Sequence, residues 1–326
     1  MAAPQVSYAA RPSLLQRVSK ALKKDLFQRN VVWLIMTIPA AAWIFLFKYV
    51  TMGGIAIAFL DYKPRRGVFG SEFIGLKNFE FLFSTEVAWR AARNTILLNL
   101  LFITVGLLFS LTVAWLLFNV YTSRVMRFYQ TSLLLPNFIS WVIVSFFVFA
   151  LLKGDNGLVN TFLKNIGRQP IDWYSSPQYW PIILLLAYLW QSVGWGSLIY
   201  LSGMLGIEPE IFEAATMDGA SRFQQFSRIT LPLILPLIIL NLLLAIGHIF
   251  NADFGLFYQV PRDQGALYPT TDVLDTFIYR ALINLQNTGM ASAAQFYQSV
   301  VGFILVMLSN WAVRRLSPRD QDLSLF

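Results

Sequence analysis

Six blocks of apolar residues constrain this chain more than any other feature. They cover 31 to about 60, 95–118, 131–152, 181–203, 231 to about 250, and roughly 294–313. A helix needs about 20 consecutive apolar residues to cross the hydrocarbon of a bilayer. Within lipid, only helices and closed barrels satisfy their own backbone. The blocks are continuous rather than alternating, so the expected fold is all-α and integral to the membrane, with six transmembrane helices. Composition agrees: 56% of the residues are hydrophobic and 13% are charged, far from an ordinary soluble domain. The first block exceeds a minimal span, which predicts a tilt, or a bend at Pro39 or at Gly53-Gly54, with Lys48 reaching out to an interface.

Six spans place both termini on one side. Thirteen Lys and Arg residues fall on that side, against eleven spread over the longer loops of the other. The dense cluster before the first span (Arg11, Arg17, Lys20, Lys23, Lys24, Arg29) makes that side cytoplasmic, since basic residues close to the first span weigh most. The chain is thus expected to be a multi-pass membrane protein with both termini cytoplasmic. Residues 1–30 form a separate cytoplasmic tail ahead of a six-span domain, 31–326. Within the tail, Leu14, Val18, Leu22 and Leu26 recur every four residues on a basic helix. Such a stripe can lie on membrane lipid with its lysines at the phosphates, or the segment can be a solvated arm that only sets topology. The net charge of +8 does not point to nucleic acid, because the basic residues flank apolar blocks instead of interleaving with aromatics on a soluble face.

No catalytic motif is present. The chain has no cysteine, which excludes thiol chemistry and thiolate metal sites. Its single histidine, His248, cannot build a metal cluster. The stretch Gly70–Lys77 (GSEFIGLK) resembles a phosphate-binding loop only superficially, since Leu76 stands where lysine is required and no Ser or Thr follows Lys77. Asp272 and Asp275 are at helical spacing on an outer segment, where N-capping of a short helix over 272–284 by Thr271 or Asp272 is expected. The chain therefore carries no catalytic residue and no metal or nucleotide site. If ATP drives it, ATP and Mg²⁺ must bind other subunits.

Between the fourth and fifth blocks, residues 206–232 are polar where their neighbours are apolar. IEPEIFEAATMD reads as a helix with acids and Pro209 at its positive end. Gly219 supplies a turn that a side chain would resist, and SRFQQFSRI reads as a second helix that ends where Pro232 begins the fifth span. Ile211, Phe212, Ala215, Phe223 and Phe226 give this pair an apolar face that needs a partner groove.

The spacing Glu213-Ala214-Ala215, Asp218-Gly219-Ala220, Phe226, Ile229, Leu231-Pro232 and Pro236 fits EAAxxDGAxxxxxFxxIxLPxxxP. It resembles the EAA loop of permease subunits from binding-protein-dependent ABC importers. Further stretches (residues 48–62, 73–83, 93–99, 133–143 and 195–215) are similar to the carbohydrate branch, and within it to importers of oligosaccharides cut from polysaccharides, such as alginate. The resemblance covers about residue 30 onward. It implies a type I permease fold and a second homologous permease in a heterodimer. It also implies two ATP-binding subunits, an extracytoplasmic solute-binding protein, and alternating access driven from the loop. Glu213 would pair with a basic group of the ATPase, Gly219 hold the elbow, Ala214, Ala215 and Ala220 keep the contact close, and Phe226 anchor the second helix.

Polar groups within spans are costly and mark candidate substrate paths: Asn99, Asn137, Gln191, Asn241, His248, Asn251 and Asp253. Trp141, Tyr188, Trp190 and Trp195 could stack on sugar rings. Intervals of seven and three would keep Asn241, His248 and Asn251 on one face of the fifth helix. Each amide could equally join two helices, and each tryptophan anchor an interface. An ABC permease for another solute shares the loop. A secondary transporter acting alone would need buried acids within the spans, and an enzyme on lipid-linked sugars would need an acid pair or histidine cluster at a membrane face. Replacing Glu213 by Ala, or Gly219 by Val, is expected to abolish coupled ATP hydrolysis while the chain stays in the membrane. Vesicle ATPase and membrane fractionation check this, and full transport by the chain alone would refute it.

Overall fold

A computed structural model describes residues 30, 31, 33, 35–120 and 123–316. The amphipathic helix expected over 14–26 lies outside them. The chain divides into two compact units, Met1–Ala56 and Ile57–Phe326. Helix α1 (Ile35–Phe59) continues through Pro39, widens over Phe45–Tyr49 and tightens to a 3₁₀ turn from Gly53. The change of geometry thus falls at the glycine pair and not at the proline.

The remaining spans are α2 (Glu86–Phe118), α3 (Arg124–Phe138) continued by α4 (Trp141–Leu152), α6 (Trp180–Leu205), α8 (Arg222–Gly247) and α10 (Thr288–Leu316). Shorter helices α5 (Leu158–Asn165), α7 (Pro209–Met217) and α9 (Leu274–Ile283) lie between them. Among the described residues five helices are long and apolar enough to cross a membrane, and six if the bent pair α3/α4 counts as one. A two-stranded hairpin, Leu60–Asp61 on Glu72–Phe73, follows α1.

Three departures from the expected spans have clear causes. The third block is not one straight helix but turns by 94° between α3 and α4. Pro136 withholds an N–H from the helix ladder, the turn at Leu135–Phe138 is 3₁₀, and Ile139 and Ser140 are extended. Gln191 of α6 donates to the Ile139 carbonyl at 2.8 Å, satisfying a group that the bend would otherwise strand. Secondly, α2 begins nine residues before its apolar block, because Thr85 caps it by accepting from the Ala88 N–H.

The third departure concerns the fifth span. Pro232 does not begin it, since α8 runs unbroken from Arg222 and relaxes into a π turn over Phe226–Thr230 just ahead of the proline. Its far end also differs. The helix closes at Gly247, and residues 251–253 are not helical. Asn251 therefore does not share a helical face with Asn241 and His248.

Packing centres on α2 against α6, the most extensive helix contact. One core cluster joins Phe102, Val144, Trp180 and Leu184 to Leu256, Val260 and Leu267. Another joins Leu111, Leu117, Leu201 and Met204 to Ile234 and Ile238. Small residues let the backbones approach. A Cβ on Gly194 of α6 would run into the Leu133 carbonyl of α3. The variant Gly194→Leu is expected to be destabilised by about 3 kcal/mol or more, since overpacking against backbone cannot be relieved by a rotamer change. Thermal unfolding in detergent, followed by tryptophan fluorescence, checks this.

Candidate functional site

The polar interruption between α6 and α8 is built from its caps. Pro209 occupies the first turn of α7, where its missing N–H has no helical partner in any case, and Glu210 lies beside the positive end. At the other end Ala220 donates to the Ala215 carbonyl (2.9 Å) and Gly219 to that of Thr216 (3.0 Å), a Schellman closure. It requires a left-handed residue, and Gly219 supplies φ of +78°. Ser221 then caps the next helix in a capping box with Gln224. Gln225 Nε2 reaches back to Thr216 Oγ1 at 3.0 Å, fastening the second arm to the first.

The end of α2 grips both arms. Arg222 donates to Asn119 Oδ1 at 2.7 Å, and Asn119 Nδ2 donates to the Trp115 carbonyl at 2.7 Å. Trp115 lies 5.1 Å from Phe226 and 6.3 Å from Phe223, while Phe118 lies 5.4 Å from Phe212. The aromatic face that the sequence assigns to a partner groove is thus in part covered by α2. Phe226 and Phe212 are half-buried there, and Phe223 stays largely exposed. What remains outward is a ridge of Glu213, Ala214, Asp218 and Met217, with Met217 88% exposed. A groove of about 970 Å³ runs behind it, lined by Phe118, Asn119, Leu205, Pro209, Glu213 and Gln225. Pro232 lies above, inside α8.

A second polar cluster surrounds the break at residues 248–253. Asn99 of α2 donates to the Ile249 carbonyl at 2.7 Å. Gln298 of α10 donates to the Phe250 carbonyl. The Ala252 N–H donates to Asp275 Oδ2 of α9 at 2.8 Å. Trp141 Nε1 of α4 donates to Asp253 Oδ2 at 2.7 Å, and Asp253 Oδ1 caps the next turn through the Leu256 N–H at 3.2 Å. Tyr188 stacks on Phe102 at 4.8 Å, and Phe102 on Phe257 at 5.8 Å.

The fold therefore brings Asn99, Trp141, Asn251 and Asp253 together, with Tyr188 beside them. It places the other candidates elsewhere. Asn241 donates to Leu237 of its own helix, Gln191 serves the α3/α4 bend, and Asn137 is exposed on that bend. Trp190 and Trp195 are exposed on α6, and His248 ends α8 with its side chain exposed.

Neither Asp272 nor Asp275 is the side-chain N-cap that their spacing predicts. Asp272 is buried in an ion pair with Arg280 and accepts from Thr276, Arg280 also reaching Asp263 at 3.1 Å. Asp275 holds the break. Burial pushes its carboxyl above the usual range, opposed by the Ala252 N–H and Gln298. The short helix itself is present as α9. Asn119, Gln298 and Arg222 are not among the residues the sequence singles out. A glutamine inside an apolar block is the sequence signal for Gln298, which the fold buries fully.

Residues 106–319 match the family described as "Binding-protein-dependent transport system inner membrane component". The chain is 34% identical over 291 residues, 89% of it and 90% of the relative, to the polygalacturonan/rhamnogalacturonan transport system permease protein YteP of Bacillus subtilis. It is 31% identical over 303 residues, 93% of it and 92% of the relative, to Protein LplB of the same organism. Among solved structures it resembles a bacterial ABC transporter involved in the import of the acidic polysaccharide alginate. There the TM-score is 0.82 at 32% identity, over 91% of this chain and 100% of that one. It also resembles a bacterial alginate ABC transporter in complex with an alginate pentasaccharide-bound periplasmic protein, with a TM-score of 0.81 at 32% identity, over 90% and 97% of the two chains.

The Asn119 clasp predicts that Asn119→Ala loosens the start of α8. Amide exchange over residues 223–230 should accelerate about tenfold, the loss of one charge-assisted hydrogen bond. Asn119→Asp, which keeps an acceptor for Arg222, should exchange like the parent. Exchange followed by mass spectrometry checks both.

Proposed function

This chain belongs to the family of binding-protein-dependent transport system inner membrane components, and on that premise we propose that it is one permease subunit of an ATP-driven oligosaccharide importer. It forms half of the translocation path, and a second homologous permease forms the other half. Two ATP-binding subunits carry ATP and Mg²⁺, and an extracytoplasmic solute-binding protein delivers the cargo. The chain sits in the cytoplasmic membrane with both termini inside. Relatives that transport polygalacturonan or alginate support the carbohydrate class.

The observation that carries the reading is the unbroken helix from Arg222 to Gly247, joined through Gly219 to the exposed ridge of α7. An ATPase that seats the ridge, with a basic group on Glu213, pushes on a stiff rod. Because α8 has no flexible joint between the ridge and the membrane, displacement reaches the polar cluster at residues 248–253 directly. The Asn119 clasp brings α2 along, and α2 carries Asn99 in the same cluster. Alternating access follows as α2 and α8 move together while the α3/α4 pair, bent at Pro136, closes or opens the path.

Reconstitution with the second permease, the ATPases and cargo-loaded binding protein tests this. ATP hydrolysis should rise on adding loaded binding protein. Inserting two glycines between Thr230 and Leu231 should leave hydrolysis measurable and cut transport by roughly tenfold or more, since glycine disfavours helix by about 1 kcal/mol each. Undiminished transport by the insertion variant would rule out the rod.

A further inference from the structure

Asp253 is a charged residue in an unusual place. It lies six residues beyond the end of α8 at Gly247, in the non-helical stretch 251–253. Its side chain is exposed, as is that of Asn251 two residues before it. An exposed carboxylate is not stable against hydrocarbon. The surface bearing Asn251 and Asp253 is therefore covered by water or by polar groups.

The groups holding Asp253 are neutral. It accepts the indole N–H of Trp141 at 2.7 Å and the Leu256 N–H at 3.2 Å, and no Lys or Arg among the described residues forms an ion pair with it. Arg262 lies over the rings of Phe149 at 4.3 Å and Phe146 at 5.8 Å, eight and five residues beyond Trp141 on α4. Arg280 is engaged by Asp272 and Asp263. Two N–H donors leave lone pairs on the carboxylate free. An unneutralised acceptor beside an aromatic face suits a neutral sugar, whose hydroxyls donate while its C–H face lies on the ring. It opposes a uronate, whose own carboxylate would approach a like charge.

Resting on the proposed role as an oligosaccharide permease, we propose that Asp253 is a specificity-determining residue that makes this chain's half of the path select uncharged oligosaccharides over polyanionic ones. The cargo class then differs from the acidic polysaccharides named for two of its relatives.

The test uses the purified importer with both permeases and both ATPases, and a panel of uronate trisaccharides each paired with its methyl ester. The two members of a pair share a skeleton and differ in charge. Binding is measured by calorimetry, and ATP-dependent uptake is followed on the same preparation. The parent complex should bind the ester at least tenfold more tightly than the acid. Asp253→Asn, which keeps an acceptor for Trp141, should narrow that ratio at least fivefold, chiefly by tightening the acid. Trp141→Phe, which keeps the carboxylate, should leave the ratio in place. Equal binding of acid and ester by the parent, an unchanged ratio in Asp253→Asn, binding of neither form, or failure of that variant to assemble would each overturn the proposal. A complex that discriminates charge but shows no ATP-dependent uptake would count against the importer reading instead.

Discussion

A chain inside a bilayer has no water with which to satisfy its backbone, so every helix break must find its partners within the protein. Here the requirement is met at two places by long-range side chains. The bend between α3 and α4 is served by Gln191, and the break after α8 by Asn99, Gln298 and Asp275. These four residues join α2, α6, α9 and α10 to the two interruptions. The breaks are consequently the points at which the bundle is tied together, and the exposed carboxylate of Asp253 sits in the second of them.

A comparable economy holds at the opposite end of α8. The cap at Gly219, the capping box at Ser221 and the Asn119 to Arg222 bond fix a short helix pair against the end of α2. Because α8 begins at Arg222, the loop and the span are one mechanical piece. The proline that suggests a boundary is accommodated by a wider turn. The ridge is tied to that piece through the Gly219 turn and the Gln225 to Thr216 bond.

Much of this was legible beforehand. Span number and the helical pair around Gly219 follow from the length of the apolar blocks and from capping chemistry, both of which are local. The substrate candidates were legible only as a set. That Asn99, Asn251 and Asp253 converge with Trp141, while Asn241 and Gln191 serve local or structural bonds, depends on contacts between residues roughly fifty to a hundred and fifty positions apart. Asp272 shows the same limit, since helical spacing predicts a cap and the fold delivers a buried ion pair with Arg280.

The sequence by itself determined that this chain crosses a membrane as helices, because the length of each apolar block and the cost of unpaired backbone in lipid permit little else. It also determined the elbow at Gly219, since a left-handed turn excludes most side chains. The tertiary structure alone decided where helices stop and which polar groups meet. Pro136 coincides with a bend whose Ile139 carbonyl is served by Gln191 of α6, while Pro232 follows a widened turn and leaves α8 continuous, and that difference is decided by packing between elements distant in sequence.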